Sequence, residues 1–178
     1  MEIDYSDHHL RVSMEEIEVR ILQDLASQLL DLTTPDSASD SSDPLAQLVG
    51  IDPNATKPTD PVLNRLYPDA YPEDHEASLE FRRFTERSLR DASTERAARL
   101  VELISHDSPW TLTTAQWRDF VGFLNDLRLA LGTRLEISDS LEVQEIEEND
   151  PNAPLFDLYG WLTWMQETLI GKGYFHED

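Results

Sequence analysis

No cysteine occurs anywhere in the chain, and that one absence removes disulfides, thiol catalysis and thiolate metal sites together. Positive charge is scarce as well: 14 Lys and Arg stand against 36 Asp and Glu, for a formal charge of −22. A surface of that sign repels phosphate backbones, so direct nucleic-acid binding is not expected. No apolar run approaches the roughly eighteen residues a membrane span needs. The opening Met1-Glu2-Ile3-Asp4-Tyr5-Ser6-Asp7 is acidic and lacks the apolar centre of a signal peptide. The expected setting is the cytoplasm, without a membrane partner. The five histidines (His8, His9, His75, His106, His176) never take the two-per-turn spacing of a zinc helix. Neither a metal nor a cofactor is expected.

What is present reads as helix. At 178 residues the chain can bury a core of its own, and residues 1–178 are expected to form one unit. The apolar share of 39% lies a little under the globular average, so parts should stay unpacked. The expected fold is all-α, a single compact domain of six or seven helices, with one very short strand pairing of Thr111-Leu112 against Leu10-Arg11-Val12. A first helix opens at Ser13, boxed by Glu16, and carries Met14, Ile17, Ile21, Leu25, Leu29 and Leu32 on one face. A flexible linker over 35–43 follows, then a short helix over 44–49 closed by Gly50. Asp60-Pro61 restarts a helix with proline at its favoured first position. Residues 74–91 predict a helix burying Ala77, Phe81, Phe84 and Ser88. The phase then changes near Ser93-Thr94, where Ala97, Leu100, Val101 and Ile104 begin a new stripe, giving two helices or one kinked helix. Thr113 and Gln116 form a capping box for a helix over 115–131, which Gly132 should close in the left-handed conformation. Residues 136–150 predict an exposed acidic loop, and 153–170 the last helix.

Several residues break these patterns. Arg128 falls inside the stripe of Trp117, Phe120, Val121, Leu124, Leu127 and Leu131, and Glu18 falls inside the stripe of the first helix. A buried charge must be paired, and the two misfits have opposite signs. They are expected to form an architectural ion pair, the alternative being that Arg128 reaches the edge and meets another carboxylate. Arg83, Arg87 and Arg90 share one side of their helix, either as a docking strip for an acidic segment or as a solvated face answering local carboxylates. On the last helix, Leu155, Leu158, Trp161, Leu162, Met165 and Leu169 point one way and Trp164 nearly opposite. That placement marks Trp161 and Trp164 as contact residues, for a partner or for a homodimer, unless the helix is covered on both faces. The carboxylates of 136–150 lack the spacing and glycine of a calcium loop. No carboxylate pair stands in divergent environments, and no catalytic residue is proposed.

Four blocks in order carry a resemblance. They are Asp43-Pro44-Leu45-Ala46 with Leu48-Val49-Gly50-Ile51; Leu66-Tyr67-Pro68-Asp69-Ala70-Tyr71 leading to Glu80-Phe81-Arg82-Arg83-Phe84-Thr85-Glu86; Leu124-Asn125-Asp126-Leu127-Arg128-Leu129-Ala130-Leu131-Gly132-Thr133-Arg134-Leu135; and Tyr159-Gly160-Trp161-Leu162-Thr163-Trp164-Met165-Gln166-Glu167. Together they cover nearly the whole chain and resemble an actinobacterial family of unknown function that includes the oxidative-stress transcriptional regulator AosR. The resemblance implies a non-enzymatic regulator that binds sigma factor or RNA polymerase. In the family's redox-sensing member a close cysteine pair is the switch; here no cysteine is present, so a thiol–disulfide switch is excluded. The alternative from another class is a proteostasis adaptor acting with a protease or chaperone through the acidic loop and the last helix.

Overall fold

The computed structural model describes residues 1–6, 9–34, 51–52, 55–137 and 150–173. Within them lie three strands, β1 (Glu2–Ser6), β2 (His9–Ser13) and β3 (Trp110–Leu112), and five helices. The helices are α1 (Glu16–Thr33), α2 (Pro61–Leu66), α3 (His75–Ile104), α4 (Thr114–Arg134) and α5 (Ala153–Gly173). The expected linker 35–43, the short helix 44–49 and residues 138–149 of the acidic loop lie outside the described residues. The fold is mostly helical, as expected, with a small antiparallel sheet in the order β1-β2-β3.

The sheet contains the pairing expected from the sequence, with Leu10 opposite Leu112 and Arg11 opposite Thr111. It also contains a strand that was not anticipated, β1, which pairs Ile3 with Val12 and Asp4 with Arg11. Alternation explains it: Leu10, Val12, Trp110, Leu112 and Ile3 turn one face to the core, while Arg11, Thr111 and Asp4 take the other. The same strand displaces the start of α1. Ser13 is paired with Glu2 in the ladder, so the chain turns into helix two residues later than its first capping signal. Glu18, not Glu16, reaches back to the N-cap, accepting from the Glu15 backbone N–H at 2.9 Å. The buried face of α1 is accordingly Leu22, Ala26, Leu29 and Thr33, and Ile17 is 57% exposed.

Helix α4 is the centre of the fold. Its capping box is the expected one: Gln116 N–H donates to Thr113 Oγ1 at 3.2 Å and Thr113 N–H to Gln116 Oε1 at 2.9 Å. Phe120, Phe123, Leu124 and Leu127 are buried, with Trp117, Val121 and Leu131 packed around them. Gly132 does not end this helix. It lies inside the last turn, where a Cβ would stand 3.2 Å from the Tyr159 ring. Termination falls to Glu136, at φ 55°. The Ile137 N–H donates to Gly132 O at 2.9 Å and the Glu136 N–H to Thr133 O at 3.2 Å, the pair of bonds that closes a helix through a left-handed residue. Helices α2, α3 and α5 all pack on α4, and α1 packs on α3. No helix among the described residues is long and apolar enough to cross a membrane.

Residues 75–104 form one continuous helix of 30 residues. The phase change at Ser93-Thr94 is real, yet it marks no break. Thr94 Oγ1 lies 3.2 Å from Thr33 Oγ1 on α1, and Ser93 is buried, so both hydroxyls sit in helix contacts. The expected burial of Phe81 and Phe84 is overturned: they are 44% and 55% exposed, while Arg82 is 4% exposed.

Candidate protein-docking face

The inversion in α3 follows from what it packs against. At ~100° per residue, the stripe of Ala97, Leu100 and Ile104 continues back through the helix onto Ser93, Arg90, Glu86 and Arg82. The opposing surface there is the 67–71 segment that follows α2, which offers carbonyls and a carboxylate. Arg82 donates to the Glu86 carboxylate, to Asp69 Oδ1 at 2.9 Å and to the Tyr67 carbonyl at 3.1 Å. Arg90 donates to Glu86 Oε1 at 2.6 Å and lays its guanidinium 5.3 Å from the centre of the Tyr67 ring. Lys57 donates to the other Asp69 oxygen at 2.6 Å. Ser78 ties the start of the helix to Tyr71, donating to its carbonyl at 2.7 Å and accepting from its N–H at 3.0 Å. Charges alternate along this chain of contacts, which is how a buried guanidinium is tolerated.

Two carboxylates in this region are driven in opposite directions. Hydrogen bonds from Lys57 and then Arg82 hold the Asp69 carboxyl below its ordinary range. Burial pushes the Asp126 carboxyl of α4 up, against the opposing pull of Arg96 and Ser93. Arg96 donates to Asp126 at 2.6 Å.

With the inward side of residues 75–92 taken by charge, their apolar residues face out. Phe81 and Phe84 are joined by Leu89, 49% exposed, and by Tyr71, 50% exposed. The Tyr71 ring meets Phe81 edge-on, with centroids 6.1 Å apart. Clustered exposed aromatics are uncommon on a monomer and mark interaction surfaces.

The expected arginine strip is divided by this arrangement. Arg83 is exposed beside the aromatic face, and its carbonyl accepts from the Asp52 N–H at 2.9 Å. Arg87 is half-buried on the same flank. Arg90 leaves the strip, because its spacing of four from Glu86 places it on the inward stripe, paired. The tryptophans lie elsewhere. Trp161 packs against the core, while Trp164 is 47% exposed between Gly160 and Gly171, where a Cβ would meet nothing. Asp119 and Asp126 of α4 bind α3 through Arg99 and Arg96, whereas Trp117, Val121 and Arg128 bind α5. These two sets stand roughly 170° apart around α4 at ~100° per residue. The arginine strip and the tryptophan pair therefore form separate surfaces.

The proposed Glu18–Arg128 pair does not form. Glu18 accepts from the Met1 amino group at 2.5 Å. Arg128 donates to Thr163 Oγ1 at 2.9 Å and to Gln166 Oε1, and its guanidinium stands 5.5 Å from the centre of the Tyr159 ring. Both side chains are satisfied, but by different elements: α1 packs on α3, and Arg128 faces α5. Neutral partners do for Arg128 what a carboxylate was expected to do. Gln166, buried and donating on to the Val121 carbonyl at 3.2 Å, is the residue the apolar reading of α5 passed over.

By class, this is a small, mostly helical domain with an outward aromatic helix face. Among its described residues no three His, Asp or Glu are grouped to hold a metal ion. The chain belongs to the family described as Domain of unknown function (DUF2017), whose model matches residues 2–172. It is 34% identical over 168 residues to a protein of Mycobacterium leprae (strain TN) named putative oxidative stress regulator AosR, covering 86% of this chain and 77% of that one. It is 31% identical over 175 residues to the oxidative stress regulator AosR of Mycobacterium tuberculosis (strain ATCC 25618 / H37Rv), covering 90% and 80%. The protein of that name from Mycobacterium bovis (strain ATCC BAA-935 / AF2122/97) matches to the same extent. No solved structure matches the chain.

Proposed function

We propose that the protein is a cytoplasmic, non-enzymatic regulator of the oxidative-stress response that works by protein contact. Its partner is a sigma factor or RNA polymerase, and its contact surface is the outer face of α3. The observation that carries this reading is the exposure of Phe81, Phe84 and Leu89 on the half of α3 whose buried side is charged, with Tyr71 of the preceding segment exposed beside Phe81. Aromatic side chains are what partner proteins bury at the centre of an interface, and covering the remaining half of each phenylalanine contributes about 1 kcal/mol. Arg83, exposed at the border, adds a cation to the rim. The names of the mycobacterial relatives support the stress context.

The chain itself offers little redox chemistry. It has no cysteine; Met14 and Met165 are 9% and 0% exposed, and the third methionine, Met1, packs half-buried against the core, so oxidant access is small. Oxidant sensing would then belong to another protein, with this chain supplying the contact.

The test is affinity purification of the tagged chain from its native cell, with and without peroxide, beside a Phe81→Ser/Phe84→Ser variant. Recovery of polymerase or sigma factor by the parent protein and its loss from the variant is the expected result. Recovery of protease and chaperone subunits instead would make the protein a proteostasis adaptor, and equal recovery by both forms would discard the α3 face.

A further inference from the structure

Helix α5 leaves a second surface uncovered, and its charge says what kind of partner fits it. At ~100° per residue, Asp157, Gly160, Trp164, Glu167 and Gly171 fall within about 80° of one another, opposite the buried Leu162, Met165, Gln166 and Leu169. All five are exposed. Trp164, 47% exposed, stands at the middle, with Asp157 two turns before it and Glu167 one turn after. A Cβ at Gly160 or Gly171 would meet nothing within 4 Å, so the helix offers open backbone on both sides of the indole.

The side chains of this face that can recognise a ligand have no partner among the described residues. No ion pair forms at Asp157 or Glu167, and no cation or ring stacks on Trp164. Elsewhere the fold answers its charges from within. Arg82, Arg90, Arg96 and Arg99 each hold a carboxylate, and Arg90 and Arg128 lie over the rings of Tyr67 and Tyr159. Tryptophan is a better platform for a cation than tyrosine, yet this one is bare. Lys172, the cation of α5, lies about 140° round the helix from Glu167 at ~100° per residue.

Charge narrows the occupant. An acidic segment or a phosphate backbone would be repelled by both carboxylates. A second copy of the chain would bring the same two carboxylates and no cation to the face. An apolar helix would cover Trp164 but strip water from two unpaired charges. A cationic side chain satisfies all three groups, with its charge on the indole and a carboxylate to either side. The net charge of −22 adds long-range attraction.

We infer that the outer face of α5 docks a basic segment of a partner protein, which lays a lysine or arginine side chain on Trp164 between Asp157 and Glu167. This face is separate from the outer face of α3, and the inference does not rest on the reading of that helix.

The test uses the purified chain and a fluorescein-labelled alanine peptide carrying arginines at one-turn spacing, beside the same peptide with citrulline in their place. Anisotropy at low salt should show binding of the arginine peptide only. Trp164→Ala should weaken it about tenfold, Trp164→Phe should keep part of the affinity, and helical circular dichroism should be unchanged in both. Asp157→Asn/Glu167→Gln should weaken it about fivefold. Asp24→Asn/Asp31→Asn, which removes two exposed charges from α1, should leave it unchanged, as should Phe81→Ser/Phe84→Ser. Equal loss from the α1 pair would reduce the binding to general attraction by an acidic surface and overturn the inference. Loss with the phenylalanine pair would move the basic segment to α3 and overturn it too. So would no binding by the parent chain, or binding that survives Trp164→Ala. A parent dimer that Trp164→Ala disperses in sedimentation would give the face to a second copy, which overturns it as well.

Discussion

The two halves of α3 share one inward face and fill it with opposite chemistry. Over residues 93–104 that face is Ala97, Leu100 and Ile104, each no more than 2% exposed, and it closes on the common core. Over 75–92 the same face is Arg82, Glu86 and Arg90, held by Asp69 and by the Tyr67 carbonyl and ring. The first half is held by the hydrophobic effect, with charge left outside. In the second, charge is taken inside and paired, and the aromatic residues are left to solvent. A buried ion network stabilises no more than well-packed apolar residues of the same volume would, and here Arg82 Nε is left buried without a hydrogen-bond partner. Its consequence here is positional: it releases Phe81, Phe84 and Leu89 from the core and presents them on a helix long enough to be rigid.

That contrast can be broken most severely at the apolar half. Leu100→Ala should lose about 3 kcal/mol of unfolding free energy, the cost of an unfilled core site, seen as a fall in the urea midpoint at constant slope. Arg82→Ala should cost about 2 kcal/mol. It leaves Asp69 and Glu86 without their shared cation, but both carboxylates retain some access to water and a second partner in Lys57 or Arg90. A smaller effect separates the two carboxylates by pH. Asp69 has a lowered folded-state pKa, so its contribution is present above the unfolded carboxylate pKa and is lost as pH falls through it towards the folded value. Asp126 has a raised one, so its ionised form is a penalty above the folded pKa, relieved as pH falls through it. Stability curves should therefore respond oppositely: Asp69→Asn flattens the acid-side loss, and Asp126→Asn makes it steeper. Urea midpoints measured from neutral pH to about pH 3 would show this. A small change, about 1 kcal/mol per ring, is expected at Phe81 and Phe84, each of which is about half covered.

Much of the scaffold was legible in the residues. The Thr113/Gln116 box, the restart at Asp60-Pro61 and the β2–β3 pairing all depend on local rules that tertiary context left alone. The α4 stripe was legible for the same reason, being the helix that others surround. The misreadings share one cause, which is that a local signal was outbid by a partner distant in sequence. Ser13 is a good cap, but β1 recruited it into a ladder. Gly132 is a good terminator, but its missing Cβ is used to admit Tyr159. Phe81 and Phe84 are good core residues, but the surface facing α3 there is built of Tyr67, Asp69 and Lys57, which demand charge. One clue was available: run backwards without a break, the Ala97–Leu100–Ile104 stripe lands on Arg82, Glu86 and Arg90 rather than on the phenylalanines. The Glu18–Arg128 pair failed differently. Wheel positions show which side chains are misfits, and only the packing order of α1, α3 and α4 shows whether two misfits can meet.

The most direct measurement on the inverted half is the urea unfolding of Phe81→Ser/Phe84→Ser in dilute solution, where association does not contribute. Serine and phenylalanine have similar helix propensity, so the comparison reports burial alone. A loss of only about 1 kcal/mol per ring is the expected result and means that both rings are half open to solvent in the monomer. A loss of about 3 kcal/mol or more per ring, as for Leu100→Ala or larger, would mean the rings are core residues after all, and would contradict the account of α3 as a helix turned inside out to present them.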